Sequence, residues 1–289
     1  MVIPRESAAK KLISVVQLGT IDYATGLRLQ QRLVELRKEA LIGDVLLLLE
    51  HTPVITLGRN AKSKNILAPP EVLAQRGVEV FECDRGGDVT FHGPGQIVGY
   101  PILDLRGFAT SDGKRKTLGA IEYVRKLEEV LIRTCADFGT SANRIPGLTG
   151  VWTDQGTCGS GSSTRPDGAD PRPHTGQQAK IAAIGVHISR AVTSHGFALN
   201  VNTDLSYFSL IVPCGIESKP VTSIEKQLEK QVPLQEVAHS ISRNFGVVFE
   251  RQILWLQNLD TLLSETIGVP MRPPAELRKI HEEDDITWA

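Results

Sequence analysis

The sequence predicts an α+β fold of mixed β-sheets flanked by helices. Three observations carry this expectation. Short apolar runs of strand length recur along the 289 residues, amphipathic segments of helical spacing separate them, and the two never repeat as strand–crossover–strand units. "LISVVQLG" reads as a strand, and "IDYATGLRLQQRLVELRKEALIG" as a helix with Tyr23, Leu27, Val34 and Leu41 at roughly helical spacing. "DVLLLLEHTPVITLGR" predicts two strands, because His51-Thr52-Pro53 breaks its apolar run. "PEVLAQRGV" predicts a short helix stopped by Gly77, and "EVFECD" and "QIVGYPILDL" predict strands. In "GAIEYVRKLEEVLIRTCADFG" the residues Ile121, Val124, Leu131, Cys135 and Phe138 share a helical face, which makes Cys135 a core residue. "LTGVWTD" and "KIAAIGVHISRAVTSHGFALNVN" supply three more strands, with a tight turn expected near Thr193-Ser194-His195-Gly196. Residues 234–246 form another amphipathic helix, and "LWLQNLDTLLSETIG" offers a further helical segment.

Residues 1–250 are expected to form one catalytic domain, and 251–289 a C-terminal helical extension and tail. Within the domain, residues at about 155–178 are rich in Gly, Ser, Pro and Asp and almost without apolar side chains. Such a segment cannot bury enough surface to offset its ordering entropy, so a mobile insertion loop is expected. Cys158 and His174 fall inside it, and their separation and surroundings argue against a shared metal site.

A formal net charge of −1 gives no signal for a nucleic-acid partner. No apolar run approaches the roughly 20 residues that span a bilayer, and the start lacks a signal peptide's apolar core, so no membrane partner and a cytoplasmic location are expected. Cys83, Cys135, Cys158 and Cys214 form no C-x-x-C pair, which suggests neither a disulfide framework nor a zinc cage.

Chemistry concentrates in a few islands. "CDRGGDVTFHGPGQIVGYPILDL" carries a dense glycine run. A phosphate loop would need Gly-Lys-Ser/Thr where Gln96 stands, and a dinucleotide fingerprint would need a helix where Pro94 and a strand follow. Two readings remain: a turn-rich connection, or bare backbone that lets a flat or extended ligand come close, flanked by Arg85, Thr90 and His92. Elsewhere, Lys180 stands directly before the apolar "IAAIGV", and Cys214 lies between Pro213 and Gly215. Alone, the first reads as a solvated lysine and the second as a small buried hydrophobe. Paired, an ammonium would favour the thiolate over the thiol, whose ordinary pKa is about 8.5.

"RGGDVTFHGPGQIVGYPILDL", "KIAAIGVHIS", "HGFALNVN" and "FSLIVPCGI", in this order, resemble the octanoyltransferases of lipoate biosynthesis, from about "LEHTPVITLGR" to "PVTSIEKQL". The resemblance implies a fold similar to the biotin and lipoate protein ligase catalytic domain. It implies transfer of an octanoyl or lipoyl group from octanoyl-acyl carrier protein to a lysine of lipoyl domains, those of 2-oxoacid dehydrogenase E2 subunits and the glycine cleavage H protein, with no cofactor and no metal. Carried over by position, Cys214 matches the nucleophile and Lys180 its activating partner, as thiolate-stabilising cation or as base. Arg85, Gly86, Gly87, Asp88, Val89, Thr90, Phe91 and His92, then Ala183, Ile184 and Gly185, then Gly196, Phe197 and Ala198, match the stretches that line the acyl site. The loop at 155–178 is longer than the family's usual connection.

Under this reading the amides near Lys180 to Ile181 and Cys214 to Ile216 are candidate oxyanion donors, and His92 is a rival base. Carrier proteins are acidic, so Arg59, Lys62 and Lys64, with Lys114, Arg115 and Lys116, could form a basic rim. Three other functions compete: an ATP-dependent ligase on the same fold, a noncatalytic lipoyl-domain binder, and a cysteine hydrolase.

Overall fold

The computed structural model describes residues 12–108, 117–155, 177–215, 219–259 and 261–262. An eight-stranded sheet forms the frame. Along its edge-to-edge order run β11 (Gln252–Leu256), β1 (Leu12–Ile21), β2 (Asp44–His51), β6 (Gln96–Ile102), β10 (Val192–Asn200), β9 (Gln177–Ser189), β8 (Leu148–Gln155) and β7 (Asn143–Ile145). β1 pairs in parallel with β2 and β11, and every other neighbour is antiparallel. A second sheet holds β4 (Glu79–Glu82), β3 (Val54–Leu57) and β5 (Val89–His92) in that order. The mixed-sheet α+β expectation therefore holds.

Helices cover both faces of the large sheet, which explains why the centre of β2, Val45–Leu49, is apolar without interruption. In β2, Leu46 and Leu48 pack under α3 (Ala120–Asp137) and α4 (Leu234–Phe249), while Val45, Leu47 and Leu49 pack against α1 (Tyr23–Lys38) on the opposite face. Asp22 caps α1, its carboxylate accepting from the Thr25 amide at 2.9 Å. Thr52-Pro53 then ends β2 and redirects the chain into the second sheet. That sheet is joined by α2 (Pro70–Gln75) and packs Ile55, Val89 and Phe91 against Phe208, Leu210 and Ile211.

Several local expectations are corrected. The turn between β9 and β10 falls at Arg190-Ala191, both at positive φ (51° and 66°), and residues 193–196 lie inside β10. The segment read as helical after Glu250 begins as strand β11, which adds to the free edge of β1. Ile121 is 81% exposed, and Tyr123, Leu127 and Leu131 carry the buried face of α3; Leu41 also faces solvent, beyond the end of α1. Cys135 is fully buried, which pushes its thiol up to about 12. Cys158, His174, Lys114, Arg115 and Lys116 lie outside the described residues, as does most of the 155–178 segment. Among the described residues no helix is long and apolar enough to cross a membrane, and no cluster of three His, Cys, Asp or Glu side chains could hold a metal ion.

Candidate active site

A cavity of about 210 Å³ lies between the two sheets, where Arg85–Asp88 cross the faces of β9 and β10. The strap is held from both sides. Arg85 and Gly87 accept from the amides of Arg59 and Asn60, while the Gly86 amide donates 3.0 Å to the carbonyl of Val186 in β9. This close approach requires bare backbone: a Cβ on Gly185 would stand 2.6 Å from the Gly86 carbonyl oxygen, and Gly87 adopts φ +93°. The glycine run thus lets two backbones meet, and the cavity opens beside the junction. Behind it Arg85 is buried, its guanidinium donating to the Thr56 carbonyl (2.6 Å) and hydroxyl (2.9 Å) and to the Gly86 carbonyl (3.1 Å).

Arg85, Gly86, Gly87, Asp88, Thr90, His92, Lys180, Ala183, Ile184, Gly185, Gly196, Phe197 and Ala198 all line the cavity. Val89 and Phe91 do not. Strand alternation turns them to the far face of β5, where Phe91 stacks on Tyr207 at 4.7 Å. Tyr23, Val98, Tyr100, Gly147–Thr149 and His195, which no quoted motif marks as site residues, also line it. Val98 and Tyr100 were within reach, because they alternate on β6 directly after the glycine run. Tyr23, at the start of α1, leaves no local signal.

Lys180 is not a solvated lysine. It lies in β9 with 8% of its surface exposed, its ammonium 4.7 Å from the centre of the Trp152 ring on β8. Gly150, at φ +116°, lies against β9: a Cβ there would stand 2.7 Å from the Ala182 carbonyl oxygen and in ordinary contact, 3.5 Å, with Lys180 Cε. Cys214 occupies a 3₁₀ turn, Pro213–Gly215. That turn borders the same region. Pro213 shares a small cavity with Lys180, Thr90, Ala183 and Asn200, and a Cβ on Gly215 would meet the Asp88 carboxylate at 2.7 Å. Two expected oxyanion donors are already engaged: the Lys180 amide donates to Pro220 O (2.9 Å) and the Gly215 amide to Val212 O (3.0 Å).

His92 is a poor base here. Burial, with His51 beside it, pushes it down to about 3, and its Nδ1–H donates to Gln96 Oε1 at 2.7 Å. His51 is pushed down to about 4 by burial; its Nδ1–H donates to Ile21 O, and its Nε2 accepts from the Tyr100 hydroxyl at 2.6 Å. Burial also drives both tyrosine hydroxyls, Tyr23 and Tyr100, upward, so the cavity floor is uncharged at neutral pH. Burial lowers His195 as well; its Nε2–H donates to Asp84 at 2.7 Å, and against desolvation, the largest single influence on that carboxyl, this bond and the charges of His195 and His187 together hold it low.

This floor makes stability depend on pH. An unfolded chain protonates each imidazole near 6.5, whereas the folded His51 and His92 resist down to about 4 and about 3. Their contribution is therefore complete above 6.5 and is lost as pH falls through that window, by up to about 1.4 kcal/mol per pH unit for each ring. Urea unfolding is expected to give a lower midpoint at about pH 5.5 than at about pH 7.5, and His92→Gln a smaller drop. Equal midpoints in the unmodified protein would contradict a neutral buried pair.

The chain matches the lipoyl protein ligase A/B catalytic domain family over residues 22–246. It is 58% identical to an octanoyltransferase from Koribacter versatilis over 94% of this chain and 98% of that one. An octanoyltransferase from Acidobacterium capsulatum is 56% identical over 88% of this chain and 97% of its own. In fold it is similar to a bipartite lipoate protein ligase from Thermoplasma acidophilum, with TM-score 0.58 at 15% identity over 92% of this chain and 98% of that one. It is similar also to Plasmodium falciparum LipL1 solved with lipoate, with TM-score 0.60 at 10% identity over 96% and 72%. The glycine-built cavity, the fold and these relatives agree: the chain belongs to the octanoyltransferases of the lipoyl protein ligase A/B catalytic domain family and is an acyltransferase that serves protein lipoylation.

Proposed function

We propose that the protein takes an octanoyl group from acyl carrier protein onto Cys214 and passes it to a lysine of a lipoyl domain, on a 2-oxoacid dehydrogenase E2 subunit or the glycine cleavage H protein. The observation that carries this reading is Lys180: a buried ammonium at an acyl-sized cavity, with the Cys214 turn bordering the same space. In the first half-reaction the Cys214 thiolate attacks the donor thioester carbonyl. The bond to the carrier's sulfur breaks, and the carrier leaves as a thiol after taking up one proton. In the second, the acceptor amine attacks the S-octanoyl carbonyl, an amide forms, and the Cys214–carbonyl bond breaks, with Lys180 relaying the amine's proton to the departing sulfur. Thioester exchange is nearly balanced and amide formation is downhill, so the chemistry proceeds without ATP.

Ala183, Ile184, Val98, Phe197 and Ala198 offer the chain an apolar slot. Six methylenes at about 0.8 kcal/mol each give about 5 kcal/mol of burial. Neighbouring chain lengths differ by only about 1–3 kcal/mol per methylene, so they should be poorer substrates and not excluded ones.

Arg59, Lys62 and Lys64 are exposed on the loop that hydrogen-bonds along the strap, which suits an acidic carrier. Reversing Lys62 and Lys64 to Glu is expected to raise the carrier's KM several-fold, with little change in kcat, and to flatten its salt dependence. An unchanged salt dependence would remove this loop from docking. The function as a whole is tested by mixing the protein with octanoyl-carrier protein and a lipoyl domain without nucleotide. One octanoyl amide on the domain lysine is expected. Transfer that needs free octanoate and ATP, with release of pyrophosphate, would assign the chain to ligase chemistry.

A further inference from the structure

Lys180 and the Cys214 turn come from distant parts of the chain, and a buried series of side chains ties their supports together. Lys180 spends both backbone groups on the segment that returns after the turn. Its amide donates to Pro220 O and its carbonyl accepts from the Thr222 amide, each at 2.9 Å. The Thr222 carbonyl in turn accepts from Asn200 Nδ2 at 2.9 Å. Asn200 ends β10 directly opposite Gln96 of β6, and Gln96 Nε2 donates to Asn200 Oδ1 at 2.8 Å. Gln96 Oε1 completes the series by accepting from His92 at 2.7 Å.

The two carbonyls at Phe91 and Thr222 fix the direction of every bond, because each can only accept. His92, Gln96, Asn200, Thr222 and Lys180 are each less than one-tenth exposed, so solvent offers little replacement for a lost bond. The small cavity shared by Gln96, Asn200, Lys180 and Pro213 shows that the series borders the Cys214 turn as well as the lysine.

We propose that Asn200 is a positioning residue for acyl transfer: through the Thr222 carbonyl it clamps the 220–222 segment onto Lys180 and so fixes the Cys214 turn against the lysine. The inference rests on the Cys214–Lys180 reading proposed above. Asparagine suits the position because one side chain must accept from Gln96 and donate to Thr222 at once. Aspartate has the same shape but sets a second acceptor against the Thr222 carbonyl.

The test follows alkylation of Cys214 by iodoacetamide against pH on the full chain, together with the acylation burst and the KM for octanoyl-carrier protein. It compares the unmodified protein with Asn200→Asp, Gln96→Glu and Lys180→Ala. Gln96→Glu keeps the acceptor for His92 and loses the donor to Asn200, so it carries the same comparison should Asn200→Asp not fold. The unmodified thiol is expected to ionise below the ordinary value of about 8.5. Asn200→Asp should raise that midpoint by about one unit and slow the burst about 10-fold, with KM within about 2-fold, and Gln96→Glu should act in the same direction more weakly. Midpoints and bursts left unmoved by both variants, while Lys180→Ala shifts them, would overturn the role of Asn200 and leave the acyl-transfer reading standing. An ordinary midpoint in the unmodified protein, indifferent to Lys180→Ala, would overturn the reading and this inference with it.

Discussion

Lys180→Ala is expected to slow acylation of the enzyme by about 10²-fold or more at neutral pH. An unassisted thiol with a pKa of about 8.5 is only about 3% thiolate at pH 7. An adjacent ammonium that lowers this by about two units makes the thiolate the majority form, a gain of roughly 30-fold. The remainder is expected from proton transfer, which the same amine can assist once the acceptor lysine attacks. Lys180→Arg separates the two contributions. Arginine keeps the charge but does not give up its proton, and its planar head is a different shape from the compact ammonium that lies 4.7 Å from the Trp152 ring. Burst amplitudes and rates for the three proteins order the outcome as lysine, arginine, alanine. An alanine variant that acylates at the unmodified rate would remove Lys180 from the mechanism.

The second large effect is expected at Gly185. A Cβ there would stand 2.6 Å from the Gly86 carbonyl oxygen, a backbone atom that cannot rotate away. Gly86 is also anchored by its own bond to Val186, and Arg85 and Gly87 by theirs to the 59–60 loop, so relief requires the whole strap to lift. Displacements approaching 1 Å at a reacting site cost about 10²-fold, and Gly185→Ala is expected to lose kcat/KM on that scale. The β9–β10 ladder does not depend on the strap, so the variant should still fold. Gly86→Ala is the internal control, because its Cβ would meet only the Val186 carbonyl oxygen at 3.3 Å. Equal activity in the two variants would mean that the close approach of the strap does not shape the acyl slot.

What the sequence makes legible, and what it hides, follows from the range of the forces involved. Thr52-Pro53 splits an apolar run locally, so β2 and β3 are readable. The glycines of the strap are legible as bare backbone, but that their close partner is the backbone of β9 is decided only by the fold. The turn at Arg190-Ala191 is not readable, because neither residue favours positive φ and the pairing of β9 with β10 imposes it. Gly196, which resembles a turn residue, instead sits inside the sheet against the Gly99 carbonyl and Pro101. His195 takes φ +55° within the strand, its amide donating to Gln30 of α1.

β11 is hidden for a similar reason. Five residues of "QILWL" fit a strand or a helix equally, and parallel pairing with β1, distant in sequence, decides. At the site, most of the residues in the contiguous motifs line the cavity. Tyr100 is legible from alternation on β6, whereas Tyr23 is not, because only the fold brings the start of α1 to the cavity. Val89 and Phe91 belong to the same motif yet face away, because a motif does not reveal which side of β5 faces the cavity.

The central claim is that Cys214 carries the acyl group. Intact mass spectrometry of the full chain after brief mixing with octanoyl-carrier protein, in the absence of any lipoyl domain, tests it most directly. One octanoyl group, removable by hydroxylamine, absent from Cys214→Ala and discharged on adding the acceptor domain, is the predicted result. An octanoyl adduct that persists in Cys214→Ala, or full turnover by that variant, would contradict it.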